Sequence, residues 1–255
     1  MLNVAVGALF AAAIAIGAYR ARSLSPDGAV AAFAVGTIVF GCTQWRGAAI
    51  LLAFFIPSAI LTRIGRERKA RLTGAPAAKA RNAWQVFANG GVAALCALGA
   101  LRFGAPFGVA FAGAFAAASA DTWGTEIGTL ARGRPVSILT FRQIQTGLSG
   151  GITFQGSAAT IGGALLVGAV AALTGFAPLL AVTIGGIAGA LLDSLLGASL
   201  QALRWCPACR CDCETSPHVC GTPTTLRRGI AWFQNDAVNF FATVGGALVA
   251  VLGAR

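Results

Sequence analysis

Two carboxylates close a long uncharged apolar run near the middle of the chain. Asp121 and Glu126 follow this run, Asp193 lies deep within another, and Asp236 opens the last one. Ionised side chains are costly in hydrocarbon and usually mark functional positions. These four acids are therefore predicted to meet in one catalytic site. Asp121 and Asp193 are predicted to hold Mg²⁺ between them, because Mg²⁺ favours oxygen ligands together with substrate phosphates.

The spacing of the acids leaves a structural alternative open. On a regular helix, Asp121 and Glu126 point roughly 140° apart. Either the helix opens near Gly124 or the two carboxylates serve different partners. Salt bridges to basic loops are the alternative role, and this role fits Glu126 better than Asp121. For Asp193 the corresponding alternative is pairing with an arginine.

Several polar side chains recur at helical spacing and are predicted to contact a substrate. Residues four apart lie on one face of a helix, so such a row suits a polar head group or a phosphate. Hydrogen bonding between helices is the other interpretation of the amides. The predicted contacts are Arg81, Gln85 and Asn89 in one row, Asn235 and Asn239 in a second, and Thr122 and Thr125 beside Asp121.

A glycine-rich segment between two apolar runs is a candidate phosphate loop. Glycines let backbone N–H groups approach an anion at a helix N-terminus, and arginine can clamp a phosphate with two hydrogen bonds. Arg142, Ser149, Gly150 and Gly151 are predicted to bind phosphate in this way. The segment is not a Walker loop, because Gly-Lys-Ser/Thr is absent. A plain turn is the alternative.

A cysteine cluster near the C-terminal end has the spacing of a zinc site. A CxxC followed by HxC supplies four ligands, and a reducing cytoplasm disfavours stable disulfides. The preferred ligands of one structural zinc are Cys206, Cys209, His218 and Cys220, with Cys211 and Cys213 as alternates. A reduced loop without metal is the other interpretation.

The composition indicates a polytopic membrane protein. The 255 residues are 56% hydrophobic and 11% charged, with apolar runs near the length that crosses a bilayer. The formal charge of +11 is interpreted as a signal of membrane topology rather than of nucleic-acid binding, because the basic residues lie between apolar runs. The segment 2–19 is predicted to be the first membrane helix and not a cleaved signal peptide.

The predicted fold is an all-α transmembrane bundle of about eight spans, forming one domain over residues 1–255 with a Cys-rich cytoplasmic loop at 204–228. Because only residues 43–46 join the second span to the third, the sequence leaves open whether both cross. The predicted spans are 2–20, 28–44, 46–64, 83–101, 105–123, 156–174, 178–200 and 233–253.

This topology places both termini outside and puts charge on one side. Sixteen of the 19 basic residues fall on the inner side, leaving Arg46, Arg102 and Arg255 outside. All eight acids fall in inner loops or in the inner halves of helices. A transporter more often needs polar groups on both sides of the midplane, whereas an enzyme that uses cytosolic substrates needs them on one. The asymmetry favours an enzyme.

Four motifs together resemble a known family. They are Ser-Ala-Asp-Thr-Trp-Gly-Thr-Glu-Ile-Gly, Gln-Val-Phe-Ala-Asn-Gly-Gly, Asp-Ser-Leu-Leu-Gly-Ala and Asn-Asp-Ala-Val-Asn-Phe, which begin at residues 119, 85, 193 and 235. They resemble the integral-membrane family numbered ninety-two among domains of unknown function, which includes the plant phytyl-phosphate kinase. The family tends to show Pro-Gly-Thr-Ser-Gly-Gly where this chain has Thr146-Gly-Leu-Ser-Gly-Gly.

The resemblance implies an Mg²⁺-dependent kinase that transfers a phosphoryl group from a nucleoside triphosphate, CTP being expected, to a prenyl monophosphate such as phytyl or geranylgeranyl phosphate. The alternatives are a CTP-dependent nucleotidyltransferase acting on a lipid phosphate, and a non-enzymatic transporter or lipid scramblase. The expected location is a bacterial-type inner or cytoplasmic membrane, with the site facing the cytoplasm. The sequence allows a homodimer.

Overall fold

The computed structural model describes residues 2–74 and 80–255, so that Met1 and Lys79, which the predicted topology counts, lie outside the described residues. The described chain is predominantly helical, with short strands confined to two of the connections. The helices are α1 Leu2–Arg20, α2 Pro26–Arg63, α3 Arg66–Thr73, α4 Ala83–Phe103, α5 Ala105–Gly128, α6 Phe154–Leu173, α7 Leu179–Ser199 and α8 Asn235–Gly253. The strands are β1 Val136–Ser137, β2 Gly151–Ile152, β3 Leu203–Cys206, β4 Cys211–Cys213 and β5 Thr225–Arg228.

Several of these helices have the length and composition of membrane spans. Within the described ranges, five helices are long and apolar enough to cross a bilayer, namely α2, α4, α6, α7 and α8, and α1 adds a shorter apolar stretch, Ala5–Arg20. The helical membrane class is therefore confirmed. The count of eight spans and the side on which the termini lie stay predictions.

Helix α2 reverses direction at Gln44. A straight helix of its 38 residues would be about 57 Å long. However, the Arg63 guanidinium at its end donates hydrogen bonds to the Ala21 carbonyl and, at 2.7 Å, to the Ser23 hydroxyl, both of which precede its start. Gln44 has φ 55° and ψ −151°, outside the helical region. Segments 26–43 and 45–63 therefore run antiparallel, as the two predicted spans 28–44 and 46–64 require.

Helix α5 forms the centre of the bundle. It packs against α2, α4, α6, α7 and α8, and every residue from Gly108 to Ala120 is buried. A helix that is apolar on all sides must be surrounded by other helices, which explains why this segment lacks a polar face. Phe111 and Phe115 fill the core beside alanines and glycines. Asp121 is the first charged residue after this buried run.

Glycines bring helix α7 close to its neighbours. A Cβ atom added at Gly189 would lie 2.4 Å from the Ala117 Cβ of α5 and 2.8 Å from the Ala242 carbonyl of α8. One added at Gly185 would lie 2.6 Å from the Gly246 carbonyl of α8. Gly185, Gly189 and Asp193 are four residues apart and so lie on one face of α7. These contacts place that face against α5 and α8.

Two small sheets lie in the connections. Strands β1 and β2 pair antiparallel between α5 and α6. Strands β4, β3 and β5 form an antiparallel sheet, in that order, between α7 and α8. The Cys-rich connection, predicted only as a loop, is therefore a folded sheet.

Candidate active site

A cavity of about 970 Å³ opens at one end of the bundle. Its wall is formed by the first turns of α4, α6 and α8, the last turns of α5, the second half of α7, both ends of α2, and the loop 146–153. Thirteen of the predicted site residues line it, namely Arg81, Gln85, Asn89, Asp121, Thr122, Thr125, Glu126, Ser149, Gly150, Gly151, Asp193, Asn235 and Asn239. The structure therefore gathers most of the predicted polar residues into one space.

Asp121 and Asp193 meet in this cavity. Their carboxyl groups are close enough to interact directly, although α5 and α7 are far apart in sequence. The Oδ2 atom of Asp193 is buried and has no hydrogen-bond partner among the described residues. Neither carboxylate forms an ion pair within the described part of the chain. Two adjacent carboxylates, one with an unpartnered buried oxygen, form a donor set that suits a hard divalent cation.

Glu126 faces a different partner. Lys69 Nζ on the short basic helix α3 lies 2.6 Å from Glu126 Oε2, and both side chains are largely buried. Helix α5 continues without a break through Gly124, which decides between the two predicted alternatives. The two carboxylates on α5 serve different partners, and Glu126 anchors α3 at the rim of the cavity. Glu126 also lines the cavity, and its predicted catalytic role stays a prediction.

The Arg81 backbone is fixed by the segment that begins α2. Its carbonyl accepts hydrogen bonds from the Ser25 N–H and the Ser25 hydroxyl, each at 3.0 Å. A Cβ atom on Gly28 would lie 2.1 Å from this carbonyl oxygen, so only glycine permits the approach. Asp27 Oδ2 accepts from the Ala83 N–H at 2.9 Å and so caps the start of α4.

The Arg81 guanidinium projects into the cavity without an ion pair or hydrogen bond among the described residues. Burial lowers the pKa of Arg81, and the negative charges of Glu126 and Asp121 oppose part of this shift. Arginine remains protonated at neutral pH even so. Arg81 is therefore a free cation for an anionic ligand.

The two predicted amides on α4 are partly used by the helix itself. Gln85 forms a capping box with Asn82, in which its side-chain oxygen accepts from the Asn82 N–H at 3.1 Å. Asn89 Nδ2 donates to the Gln85 backbone carbonyl at 2.9 Å. The side-chain amides of Gln85 and Asn89 both line the cavity, where their unused hydrogen-bond donors are available to a ligand.

The glycine-rich loop is held by an acid that the sequence analysis did not include in the site. Glu214 Oε1 accepts from the Ser149 N–H at 2.6 Å, and Glu214 Oε2 accepts from the Ser149 hydroxyl at 3.0 Å and from Gln201 Nε2 at 2.8 Å. The Ser149 N–H was predicted to bind phosphate, but its hydrogen bond goes to Glu214 instead. Burial raises the pKa of Glu214, while the hydrogen bonds from Ser149 and Gln201 and the charge of Arg228 oppose the shift.

Gly150 requires its glycine. Its φ of 78° lies in the left-handed region, and a Cβ atom there would lie 2.4 Å from the Ala198 Cβ of α7. On α7, Gly197 packs against Ser149, where a Cβ atom would lie 2.8 Å from the Ser149 Cβ. The loop is thus packed on the helix that carries Asp193. It leads through β2 to Thr153, whose hydroxyl caps α6 by accepting from the Gly156 N–H at 3.0 Å.

Two predicted site residues lie outside the cavity. Asp236 is half-buried at the start of α8 and does not line it. Asn235 and Asn239 share the cavity face, and the residue after Asn235 is turned by about 100° around the helix. Arg142 is exposed, follows Phe141, a residue with φ 54°, and does not line the cavity. The cavity gives no geometric support to a catalytic Asp236 or a phosphate-binding Arg142, and both roles stay predictions.

The four preferred zinc ligands converge. Cys206, Cys209, His218 and Cys220 each offer one ligand atom, and these atoms lie within 4.8 Å of one another. Strands β3 and β4 position the CxxC, and the Cys209 N–H donates to Cys206 Sγ at 3.5 Å. All the cysteines are unpaired thiols. The alternates Cys211 and Cys213 lie outside this group.

The sequence matches one family over almost its whole length. The family described as integral membrane protein DUF92 covers residues 9–247. The chain belongs to the DUF92 family. The predicted resemblance is thus confirmed, and the cavity residues all lie within the matched range.

Relatives of this DUF92 protein are found in plants, archaea and cyanobacteria. The chain is 29% identical to Protein PGR of Arabidopsis thaliana, over 89% of this chain and 88% of the relative. It is 29% identical to an uncharacterized membrane protein of Methanocaldococcus jannaschii, over 99% and 94%, and 25% identical to one of Synechocystis, over 90% and 82%. No solved structure matches the chain.

Two groups of cavity residues in this DUF92 protein were missed from sequence. Ser25 and Asp27 line the cavity, where Ser25 binds the Arg81 carbonyl and Asp27 the Ala83 N–H, and the signal was present as a Ser-Pro-Asp-Gly helix start. Glu214 gave no usable signal, because it lies next to a cysteine in a segment without periodicity. Only the folding of the sheet β3–β5 brings it to Ser149.

Proposed function

We propose that this DUF92 protein is a membrane-embedded prenyl-phosphate kinase that transfers a phosphoryl group from a nucleoside triphosphate, with CTP as the expected donor, to a prenyl monophosphate. The observation that carries the proposal is the adjoining pair Asp121 and Asp193, placed in a cavity that also contains the free cation Arg81. Family membership supports a membrane site, and the resemblance to a family that includes the plant phytyl-phosphate kinase supports the reaction.

The residues present fit a magnesium ion. The unpartnered Oδ2 of Asp193 and the adjoining Asp121 carboxylate are the oxygen donors that this ion requires. Asp121 and Asp193 would hold it. When bound, it would neutralise charge on the phosphates of the nucleotide, which is its general contribution to phosphoryl transfer.

The proposed reaction needs positioning rather than a protein nucleophile. A phosphate oxygen of the prenyl monophosphate attacks the γ-phosphorus of the nucleoside triphosphate. The bond from that phosphorus to the β-phosphate oxygen breaks, and a nucleoside diphosphate leaves. A phosphate monoester is mostly dianionic at neutral pH, with a second pKa of about 6, so no general base is required. Arg81 and the unused amide donors of Gln85 and Asn89 hold the acceptor phosphate in place.

We also propose a structural zinc at Cys206, Cys209, His218 and Cys220. The convergence of three thiols and an imidazole within 4.8 Å supports a closed four-ligand site. Such sites contribute to folding rather than to chemistry. This site would hold the sheet between α7 and α8 in the form that presents Glu214 to the loop.

The test is an assay on purified protein with Mg²⁺, radiolabelled CTP or ATP, and a panel of prenyl monophosphates, with products identified by mass. The expected product is a prenyl diphosphate. A product that carries the nucleoside monophosphate would instead indicate nucleotidyl transfer at the same site. Absence of any product from every monophosphate and nucleotide pair would contradict an enzymatic role and favour the transporter alternative.

A further inference from the structure

We infer that the groove between α1, α2 and α4 binds the apolar chain of the lipid substrate and accepts one chain rather than two. This inference rests on the proposed function, because it assigns the substrate class of the same site.

The groove is apolar along most of its length. It is lined by small and branched side chains from α1 and from both segments of α2, together with part of α4 and Phe115 of α5. Ala15 and Ala32 are among its small lining residues, and Phe54 and Val86 are among its larger ones. A surface of this kind offers a water-soluble nucleotide no polar partner over most of its length, whereas a hydrocarbon chain gains by covering it.

The groove and the cavity share their polar end. Arg81, Gln85 and Asn89 line both. These three are the only polar side chains of the groove among the described residues, and Arg81 has no ion pair there. An occupant of both spaces must therefore carry an anionic group beside Arg81 and an apolar chain that runs away from it between the helices. A lipid monophosphate has this form.

The groove is much smaller than the cavity that it joins. Its volume is about 80 Å³, against about 970 Å³ for the cavity. A Cβ atom added at Gly36 would lie 3.0 Å from the Ala11 Cβ, and one added at Gly90 would lie 3.3 Å from Val35 Cγ1. The helices that line the groove are thus already close together. The space suits one chain in single file, so a prenyl monophosphate enters and a diacyl phosphate does not.

The first test is a chain-length series of prenyl monophosphates from five to twenty carbons, with phosphatidic acid as the two-chain comparison. KM should fall as the chain lengthens, because a longer chain makes more packing contacts along the groove. Ala32→Leu should fill the groove and raise KM for the twenty-carbon substrate by about tenfold or more, with little effect on the five-carbon one. Ala34→Leu is the matched control, because Ala34 lies on the same helix outside the groove and should leave the series unchanged.

The second test uses unmodified protein and needs no turnover. A twenty-carbon prenyl monophosphate with a photoreactive terminal group is crosslinked, and the labelled peptides are identified by mass spectrometry. Label is expected in α1 and in both segments of α2, and geranylgeranyl phosphate should compete for it while phosphatidic acid should not. Labelling without kinase activity would uphold the groove and overturn the proposed function. Kinase activity with label elsewhere, or equal competition by phosphatidic acid, would overturn the inference.

Discussion

Asp121 and Asp193 form an acidic pair that makes no salt bridge among the described residues. Asp121→Asn and Asp193→Asn are each expected to reduce turnover by roughly a hundredfold or more, because each removes one donor from the proposed metal site. The double variant should be no worse than either single one, because residues that act as a unit are non-additive. The measurement is turnover in the prenyl-phosphate assay.

Asp236→Asn is the matched control for this pair, because it removes a half-buried carboxylate outside the cavity. It should keep most of the activity. Thermal stability of all the variants should stay close to that of the parent protein, since the Asp193 oxygen has no hydrogen bond to lose at Oδ2. If Asp121→Asn and Asp193→Asn turned over like the control, the pair would be structural.

Glu214 is expected to act as a positioning residue for the glycine-rich loop. Glu214→Ala leaves the Ser149 N–H and hydroxyl unpaired, which should cost about 1–3 kcal/mol of folding stability. Glu214→Gln keeps an acceptor oxygen and should cost less. Both should raise KM for the nucleotide more than they lower kcat, because the loop borders the cavity without supplying a reacting group.

Thermal unfolding and steady-state kinetics measure these two effects. Glu67→Ala removes an exposed acid from α3 and should change neither. A Glu214→Ala protein with unaltered stability and unaltered KM would show that the loop keeps its shape without this acid.

The position of each acid around its helix separates what the sequence could predict from what it could not. Asp121 and Asp193 could be paired because both lie at similar depth in apolar runs. Asp236 has a similar depth, but its side chain points about 100° around the helix from that of its neighbour Asn235. Depth in the sequence does not predict which of the two faces the cavity. Glu214 lies in a connection between helices, where no helical periodicity predicts the direction of a side chain.

The sheet of β3, β4 and β5 is expected to depend on bound zinc. Protein purified without added zinc should contain about one equivalent, because closed four-ligand sites retain the metal. Cys206→Ser should lose the zinc and lower the melting temperature. Since this sheet carries Glu214, chelation should also raise KM for the nucleotide in the parent protein.

Cys213→Ser is the control for the zinc prediction, because Cys213 is buried in the same sheet but lies outside the ligand group. It should keep the metal, as measured by elemental analysis. A zinc content near zero in active parent protein would contradict the site. Loss of zinc from Cys213→Ser but not from Cys206→Ser would assign the ligands to the alternates instead.

At the level of elements, the helices could be predicted more fully than the connections. Apolar runs near the length that crosses a bilayer predicted α1 and α4 to α8, with ends that lie within a few residues of the observed ones. The reversal inside α2 depends on Gln44, which adopts a left-handed φ although it is neither glycine nor asparagine. The strands β1 and β2 are two residues long, too short for an alternating pattern to reveal them.

The whole bundle gathers its polar ends on one face. The cavity is built from ends of six helices at the same end of the molecule. The sequence predicts that this end faces the cytoplasm, because 16 of the 19 basic residues belong to its loops. This asymmetry could be found without a structure. The pairing of α3 with α5 through Lys69 and Glu126 could not, because it joins distant segments.

Labelling of single introduced cysteines in intact cells measures the orientation. In a protein with Cys42 and Cys96 replaced by serine, and with the labelled peptides identified by mass spectrometry, a membrane-impermeant maleimide should react with Ala254→Cys near the outer C-terminus. It should react with Glu67→Cys on α3 only after the membrane is opened. Reaction at position 67 in intact cells would invert the topology and place the cavity on the opposite side.

The reversal at Gln44 has a consequence for biosynthesis. Segments 26–43 and 45–63 are each about 27–29 Å long, enough to cross the hydrocarbon layer once. If both segments cross, as the eight-span topology predicts, a single residue joins them on the far side. We then expect the two to insert together as one hairpin that exposes almost nothing on that side. Proteases and antibodies added there should find no segment to bind between the first helix and the turn at Gly104.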